Sequence, residues 1–246
     1  MSNTRLLTGL NPEDHFMHYK AQDAAISRRL TRQFGKQFAR VLADSPTLRS
    51  DLRKLDALDV RIQRWNGRQE AYCRANPARR KNSFIAIGSL ASPVMKAIYL
   101  AHEAYHVLYG TTPGEPDPTR ISRKRYVSMG VVEETRAFMH QTKVAHELWS
   151  SCHHVLPAWQ MHLLLVYHLN GYSNMKDHVL LFKESVNYGF YEDAYGRLWD
   201  QSERKLVKEQ KAKKLQRQAR QKLARQQTKS LNQARSKPSA GNSRAA

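Results

Sequence analysis

Two histidines four residues apart, with a glutamate directly after the first, form the segment best suited to chemistry: His102-Glu103-Ala104-Tyr105-His106. Residues four apart lie on one face of a helix, about 6 Å apart at Cβ. Two imidazoles so placed can bind a single Zn²⁺, each at about 2.0–2.1 Å. Glu103, one step round the helix, points toward the water that completes an open zinc site. The spacing predicts that His102 and His106 bind zinc and that Glu103 is the general base.

One helix is expected to carry this motif. Ser92 can cap its N-terminus, and Pro93 suits the first helical position because its missing N–H has no partner there. Gly110 stands where a helix ends in a left-handed residue, and Pro113 prevents resumption. These signals predict a helix of about 16–18 residues, a normal globular length. The alternative is an amphipathic helix whose two histidines are partly buried and hydrogen-bonded to neighbours.

The motif and the glutamates downstream of it resemble the zincin metallopeptidases, in particular the gluzincins, in which a downstream glutamate is the third protein ligand. The chain is also similar to bacterial metallopeptidase-domain proteins, in which H-E-x-x-H precedes a helix carrying Glu-x-x-Ala. Here that helix is represented by residues 131–138, VVEETRAF. The resemblance covers about residues 80–150. It implies hydrolysis of peptide bonds at zinc, with His102 and His106 as ligands and Glu103 as base.

Two adjacent glutamates compete for the third ligand position. They lie near the start of a predicted helix over about residues 129–151, opened by Ser128 or Gly130. Glu134 is favoured over Glu133 because Glu134-Thr-Arg-Ala137 has the Glu-x-x-Ala register. The alternative is that both are first-turn acids that interact with the helix dipole, worth a few tenths of a kcal/mol each.

Two further features belong to such a site. Peptidases of this kind use a Tyr or His to donate a hydrogen bond to the developing oxyanion. Four candidates remain open: Tyr126, His140, His168 and His178. The apolar run over residues 83–88 is the best strand candidate, and we expect an edge strand that binds extended substrate through main-chain hydrogen bonds.

Outside the metal segment the patterns are mostly helical. Asn11-Pro12 opens a helix expected to reach about residue 43, and leucine spacing predicts a second helix over about 48–65. Apolar segments at about 157–170 and 177–188 complete the body. We expect a mainly α, zincin-like domain over residues 1–200, with N-terminal helices at 11–65, a metal-site core at about 80–150 and at most a small edge strand or sheet.

The C-terminal tail, residues 201–246, differs sharply in composition. Residues 203–246 contain 14 lysines and arginines against 2 acids, so they carry +12 of the net charge of +20. Helix-forming residues continue to about residue 227, and the Ser, Pro and Gly beyond it predict disorder. Such an arm can contact phosphates of nucleic acid without reading sequence. The alternative is a solubilising tail without a partner.

Targeting signals and cysteine spacing suggest the compartment. No apolar stretch reaches 18 residues, and the N-terminus lacks an apolar signal region. Cys73 and Cys152 form no metal-ligand pair by spacing and no disulfide framework. We expect a cytoplasmic protein without a membrane partner.

The zinc-site pattern, together with what the resemblance implies, predicts a zinc metallopeptidase that acts on a peptide or protein substrate. One alternative is a nucleic-acid-associated binding protein whose metal site is structural or degenerate. The other is zinc-dependent hydrolysis of an amide that is not a peptide.

Overall fold

The structure, a computed structural model, describes residues 12–67, 70–76, 80–169 and 188–235. These residues form seven α-helices and one three-stranded sheet, which confirms the mainly α fold with a small sheet. The helices are α1 (Pro12–Phe34), α2 (Lys36–Ala43), α3 (Pro46–Ala57), α4 (Pro93–Tyr109), α5 (Arg123–Cys152), α6 (Ala158–Leu169) and α7 (Tyr188–Arg235). The strands are β1 (Arg61–Trp65), β2 (Ala71–Arg74) and β3 (Phe84–Gly88).

The predicted helix ending near residue 43 is two helices, because Gly35 interrupts it. Gly35 adopts φ 93° and ψ 164°, a conformation open essentially to glycine alone. The bend turns α2 so that Phe38, Val41 and Leu42 are buried against the core. Helical periodicity continues on both sides of the glycine, which is why the sequence pattern did not reveal the break.

The predicted helix over 48–65 is also wrong in its second half. Helix α3 begins at Pro46 after the Ser45 cap, and it ends at Ala57. Asp59 then takes a left-handed conformation at φ 55° and reverses the chain into β1. Ile62, expected on a helix, lies in β1 and is 4% exposed.

The sheet has the strand order β1-β3-β2. Strand β3 pairs parallel to β1, with Ile85 opposite Ile62, and antiparallel to β2, with Ile85 opposite Cys73. The predicted strand at residues 83–88 is therefore present, but it is the central strand and not an edge. Ile85, Ala86 and Ile87 are fully buried, and burial on both faces explains their continuous apolar run.

Helix α4 has the predicted extent and N-terminus. The Ser92 hydroxyl accepts a hydrogen bond from the Met95 amide, and Pro93 is the first helical residue. Gly110 ends the helix, but at φ −59° and ψ 142° it is extended and not left-handed, which corrects the expectation. Its lack of a side chain matters because of close approach, since a Cβ there would collide with the His106 carbonyl.

Helix α5 begins earlier than expected. Its cap is Ser122, whose hydroxyl accepts from the Arg125 amide, so the predicted starts at Ser128 and Gly130 are wrong. Helix α6 agrees with the predicted segment at 157–170. The predicted segment at 177–188 lies almost wholly outside the described residues.

Helix α7 joins the body to the basic tail without interruption. Its first part packs on α5, where Trp199 Nε1 donates to the Ile121 carbonyl at 3.1 Å and Arg123 pairs with Asp200 at 2.9 Å. The predicted division between residues 200 and 201 falls inside this helix. Helical structure continues to Arg235, eight residues beyond the predicted end, and the disorder predicted for the last residues lies outside the described part. Within the described residues, no helix is both long and apolar enough to cross a bilayer.

Candidate metal centre

Three side chains from two helices meet at the centre of the fold. His102 and His106 lie on consecutive turns of α4, and Glu134 reaches them from α5. His102 Nε2 and His106 Nε2 are 3.3 Å apart, and Glu134 Oε2 lies 3.3 Å and 3.5 Å from them, respectively. All three side chains are largely buried, at 10–12% exposure. Ligand atoms so close together make a group that could hold a metal ion.

The spacing of these atoms agrees with tetrahedral coordination. Ligands at about 2.0–2.1 Å from a tetrahedral ion lie about 3.3–3.4 Å from one another. The three distances of 3.3–3.5 Å match that triangle. Two imidazoles and one carboxylate leave a fourth position for water or substrate, the open arrangement of a catalytic site.

The electrostatics of the cluster favour a positive charge at its centre. Burial alone disfavours an imidazolium, but hydrogen bonds to Glu133 and Glu134 outweigh it and raise the pKa of His106 to about 10. Burial opposes ionisation of Glu134 too, yet its hydrogen bonds to His102 and His106 hold its pKa far below the ordinary value. The buried carboxylates thus hold a proton on His106, and a metal cation can take the place of that positive charge.

Glu133 supports His106 from behind. Its Oε1 lies 3.0 Å from His106 Nδ1, and its Oε2 accepts the amide N–H groups of Thr111 and Thr112, each at 2.7 Å. A carboxylate on the second ring nitrogen fixes the tautomer and orientation of a metal-binding histidine. Gly110 makes the approach possible, because a Cβ there would lie 2.5 Å from Glu133 Oε1.

The two glutamates therefore occupy different places. Glu134 lies with the histidines, as predicted, and Glu133 lies behind His106. Both lie about three turns from the start of α5 at Arg123, so the alternative that they are first-turn acids facing the helix dipole is wrong. Ala137, one turn beyond Glu134, is fully buried, as its small size suggested.

The environments of the two histidines differ. His102 packs edge-on against Phe138, with ring centroids 4.7 Å apart. Its buried Nδ1 has no hydrogen-bond partner among the described residues, in contrast to Nδ1 of His106. His106 is therefore the more firmly oriented of the two.

Glu103 faces the same cavity as the cluster. This cavity has a volume of about 490 Å³ and is lined by His102, Glu103, His106 and Glu134. Residues of β2, of α7 and of the loop that follows α4 complete the lining. A thiol, Cys73 of β2, lines the same cavity as Glu103. Burial, then the negative charge of Glu103, raises the pKa of Cys73 well above its ordinary value, so the thiol keeps its proton.

Two tyrosines of α7 were missed by the sequence analysis. Tyr195 donates its hydroxyl to Glu134 Oε1 at 2.9 Å, which leaves Oε2 directed at the histidines. Tyr191 lines the same cavity, and burial together with the charges of Glu134 and Glu103 raises its pKa. The signal was present in the sequence: Tyr191, Tyr195 and Trp199 recur every four residues and so share one face of a helix.

The oxyanion donors suggested by the sequence lie elsewhere or outside the described residues. The Tyr126 hydroxyl donates to the Pro113 carbonyl at 2.9 Å. His140 contacts α3 instead, where its Nε2 lies 2.5 Å from Asp51 Oδ2. The side chain of His168 and the whole of His178 lie outside the described residues.

Comparison with known proteins adds no functional information to this geometry. No family model matches the chain, no curated protein matches it, and no solved structure matches its fold.

Proposed function

We propose that the protein is a zinc-dependent metallopeptidase of gluzincin-like design. One observation carries the proposal: the ligand atoms of His102, His106 and Glu134 form a triangle with sides of 3.3–3.5 Å. The same cavity contains the carboxylate of Glu103, the residue type needed to move a proton. A purely structural site would close the fourth position with a further protein ligand, and the described residues offer none within reach.

Each residue has a separate task in this hypothesis. Zinc bound by His102, His106 and Glu134 would supply a Lewis acid that polarises a carbonyl oxygen and acidifies water. Glu103 accepts the proton of the attacking water and delivers it to the leaving amine. Tyr191 keeps its proton because its pKa is raised, so its hydroxyl is the oxyanion donor that we favour.

Strand β2 offers a place for an extended substrate. Among the described strands it pairs with β3 alone, so no described strand occupies its other edge, where an extended peptide could form main-chain hydrogen bonds. Tyr72 and Cys73 of this strand line the cavity that contains the metal cluster. A peptide added along β2 would thus run past Glu103. This assigns the substrate strand to β2 instead of the central strand at residues 83–88.

Two substitutions test the proposal directly. His102→Ala should abolish stoichiometric zinc, measured by elemental analysis of the purified protein, because two ligands hold zinc poorly. Glu103→Gln should keep zinc and lower kcat for a peptide substrate by about 10²- to 10⁴-fold, the usual share of a general base. Zinc retained by both variants contradicts the ligand assignment.

The metal itself separates this proposal from its rivals. Purified protein without a bound metal favours the nucleic-acid-associated binding protein, in which the site is degenerate. Two histidines and one carboxylate also serve iron(II) oxygenases, so iron in place of zinc would overturn the hydrolase. A panel of peptide and non-peptide amide substrates then decides between peptidase and amidohydrolase.

A further inference from the structure

The second half of α7 is an isolated, strongly basic rod. Residues 204–235 contain 12 lysines and arginines against a single acid, Glu209. Every side chain from residue 207 to 228 is exposed. In the described part of the chain, no carboxylate pairs with Lys208, Lys211 or Lys214. The rod therefore presents uncompensated positive charge to solvent.

These cations surround the helix instead of forming one stripe. Residues nine apart are two and a half turns apart and so lie on opposite sides. Lys211 and Arg220 form one such pair, and Lys213 and Lys222 form another. A flat anionic surface can pair with the cations on only one side of this helix. A groove with phosphates on both walls can pair with the cations on both sides.

Composition excludes the other common anionic partners of such a helix. A helix that lies on a membrane has an apolar face, but the exposed Val207, Leu215 and Leu223 are scattered around this one. Single-stranded nucleic acid is bound through stacked aromatic rings, and residues 204–235 contain none. The major groove of B-form DNA admits an α-helix, whereas that of A-form RNA is deep and narrow.

We propose that residues 204–228 of α7 bind duplex DNA by lying in its major groove and pairing with backbone phosphates on both walls, without reading sequence. The inference is independent of zinc, since it rests on the exposed half of α7 and not on the half that lines the metal centre. Unbound, the neighbouring like charges on Lys208, Lys211 and Lys214 repel each other. Phosphates relieve that repulsion, so binding should also stabilise the helix.

Fluorescence anisotropy of the full chain with a labelled 24-base-pair duplex DNA of mixed sequence tests this. With about six phosphates neutralised, affinity should fall about a thousandfold between 50 and 200 mM salt. The test variant replaces Lys211, Lys213, Lys214, Arg217, Arg220 and Lys222 with glutamine, which preserves helix propensity. It should bind at least about a hundredfold more weakly at 50 mM salt, because non-specific binding is almost entirely electrostatic.

A matched variant removes the same charge from the body, with glutamine at the exposed Arg28, Arg32, Lys36, Arg40, Arg61 and Arg64. This variant should bind DNA with nearly the affinity of the parent chain. If both variants lost the same amount of DNA affinity, net charge alone would explain the effect and the proposal would be overturned. Tighter binding to phosphatidylserine vesicles, or equal binding to a duplex RNA of the same length, would overturn it as well. His102→Ala should bind DNA unchanged, so a failure of the zinc proposal is separable from a failure here.

Discussion

Two adjacent glutamates have different tasks because successive residues of a helix point about 100° apart. Glu134 reaches both imidazoles, while Glu133 is turned to the back of His106 and to the amides of Thr111 and Thr112. The first is a candidate ligand and the second orients a ligand. Replacing either one should therefore give a different phenotype.

Glu133→Gln tests the orienting role at the residue scale. The amide keeps the size of the side chain but loses the charge that fixes the His106 ring, so zinc affinity should fall by about 10- to 100-fold. Competition with a fluorescent chelator measures it. Glu115→Gln is the control, because Glu115 is exposed and pairs with Lys205 away from the cluster. Unchanged affinity in Glu133→Gln would contradict the role.

Tyr191→Phe tests the proposed oxyanion donor. Loss of one such donor should lower kcat by about 10²- to 10³-fold while zinc content stays stoichiometric. Tyr195→Phe should act differently, because it removes the hydrogen bond to Glu134 and so weakens zinc binding first. If both variants lose zinc equally, Tyr191 is not a separate catalytic group.

At the scale of elements, Gly35 decides how α2 meets the core. Its φ is 93°, and apart from its chain neighbours no atom of the described residues lies within 4 Å of the place where a Cβ would stand, so the cost of a side chain there is conformational and not steric. Gly35→Ala should lower the free energy of unfolding by about 1–3 kcal/mol, measured by urea denaturation. Gly189→Ala is a fitting control, because that helical glycine also has open space around it, and alanine favours helix by up to about 1 kcal/mol.

A polar network around the buried Asp51 joins three of the helices that frame the site. Asp51 of α3, at 1% exposure, accepts a hydrogen bond from Tyr109 of α4 at 3.0 Å and lies 2.5 Å from His140 Nε2 of α5. Asp51→Ala removes the acceptor of both groups, leaves the largely buried His140 without this partner and should cost about 1–3 kcal/mol in urea denaturation.

Asp23, which pairs with Arg53 at 2.6 Å and is about one-third exposed, provides the comparison for Asp51. Its replacement by alanine should cost at most about 1 kcal/mol. The hydrogen bond from Arg53 lowers the pKa of Asp23 below 3.8, so its contribution is complete above that pH and is lost as the pH falls further. Equal costs at the two positions would contradict the network.

At the scale of the whole molecule, helix α7 contributes both to the metal centre and to the basic rod. Its first turns bring Tyr195 to Glu134, and its second half leaves the body as the basic rod. A chain ending at residue 207 should keep zinc binding and change the free energy of unfolding by less than about 0.5 kcal/mol, because the removed side chains at 208–228 are all exposed. It should lose DNA binding. Chelator competition, urea denaturation and anisotropy measure the three effects, and loss of zinc would show that the rod supports the body.

Local signals in the sequence determined much of the metal helix. Ser92, Pro93 and Gly110 mark its ends, and the spacing of His102 and His106 places both rings on one face, because these effects act within a few residues. Composition likewise marked the basic tail. Prediction from local patterns missed the bend at Gly35 and the strand β1, because helical periodicity of apolar residues does not show where the chain must turn in order to pack.

Only the tertiary structure decided which groups surround the motif. Glu133 and Glu134 are adjacent in sequence, and which of them faces the histidines depends on how α5 is rotated against α4. Tyr195 lies 61 residues from Glu134, and no local pattern pairs residues that far apart. The sequence of each helix determines which side chains lie on each of its faces. Which of those side chains meet depends on how the helices pack on one another, because that packing buries apolar faces that are far apart in the sequence.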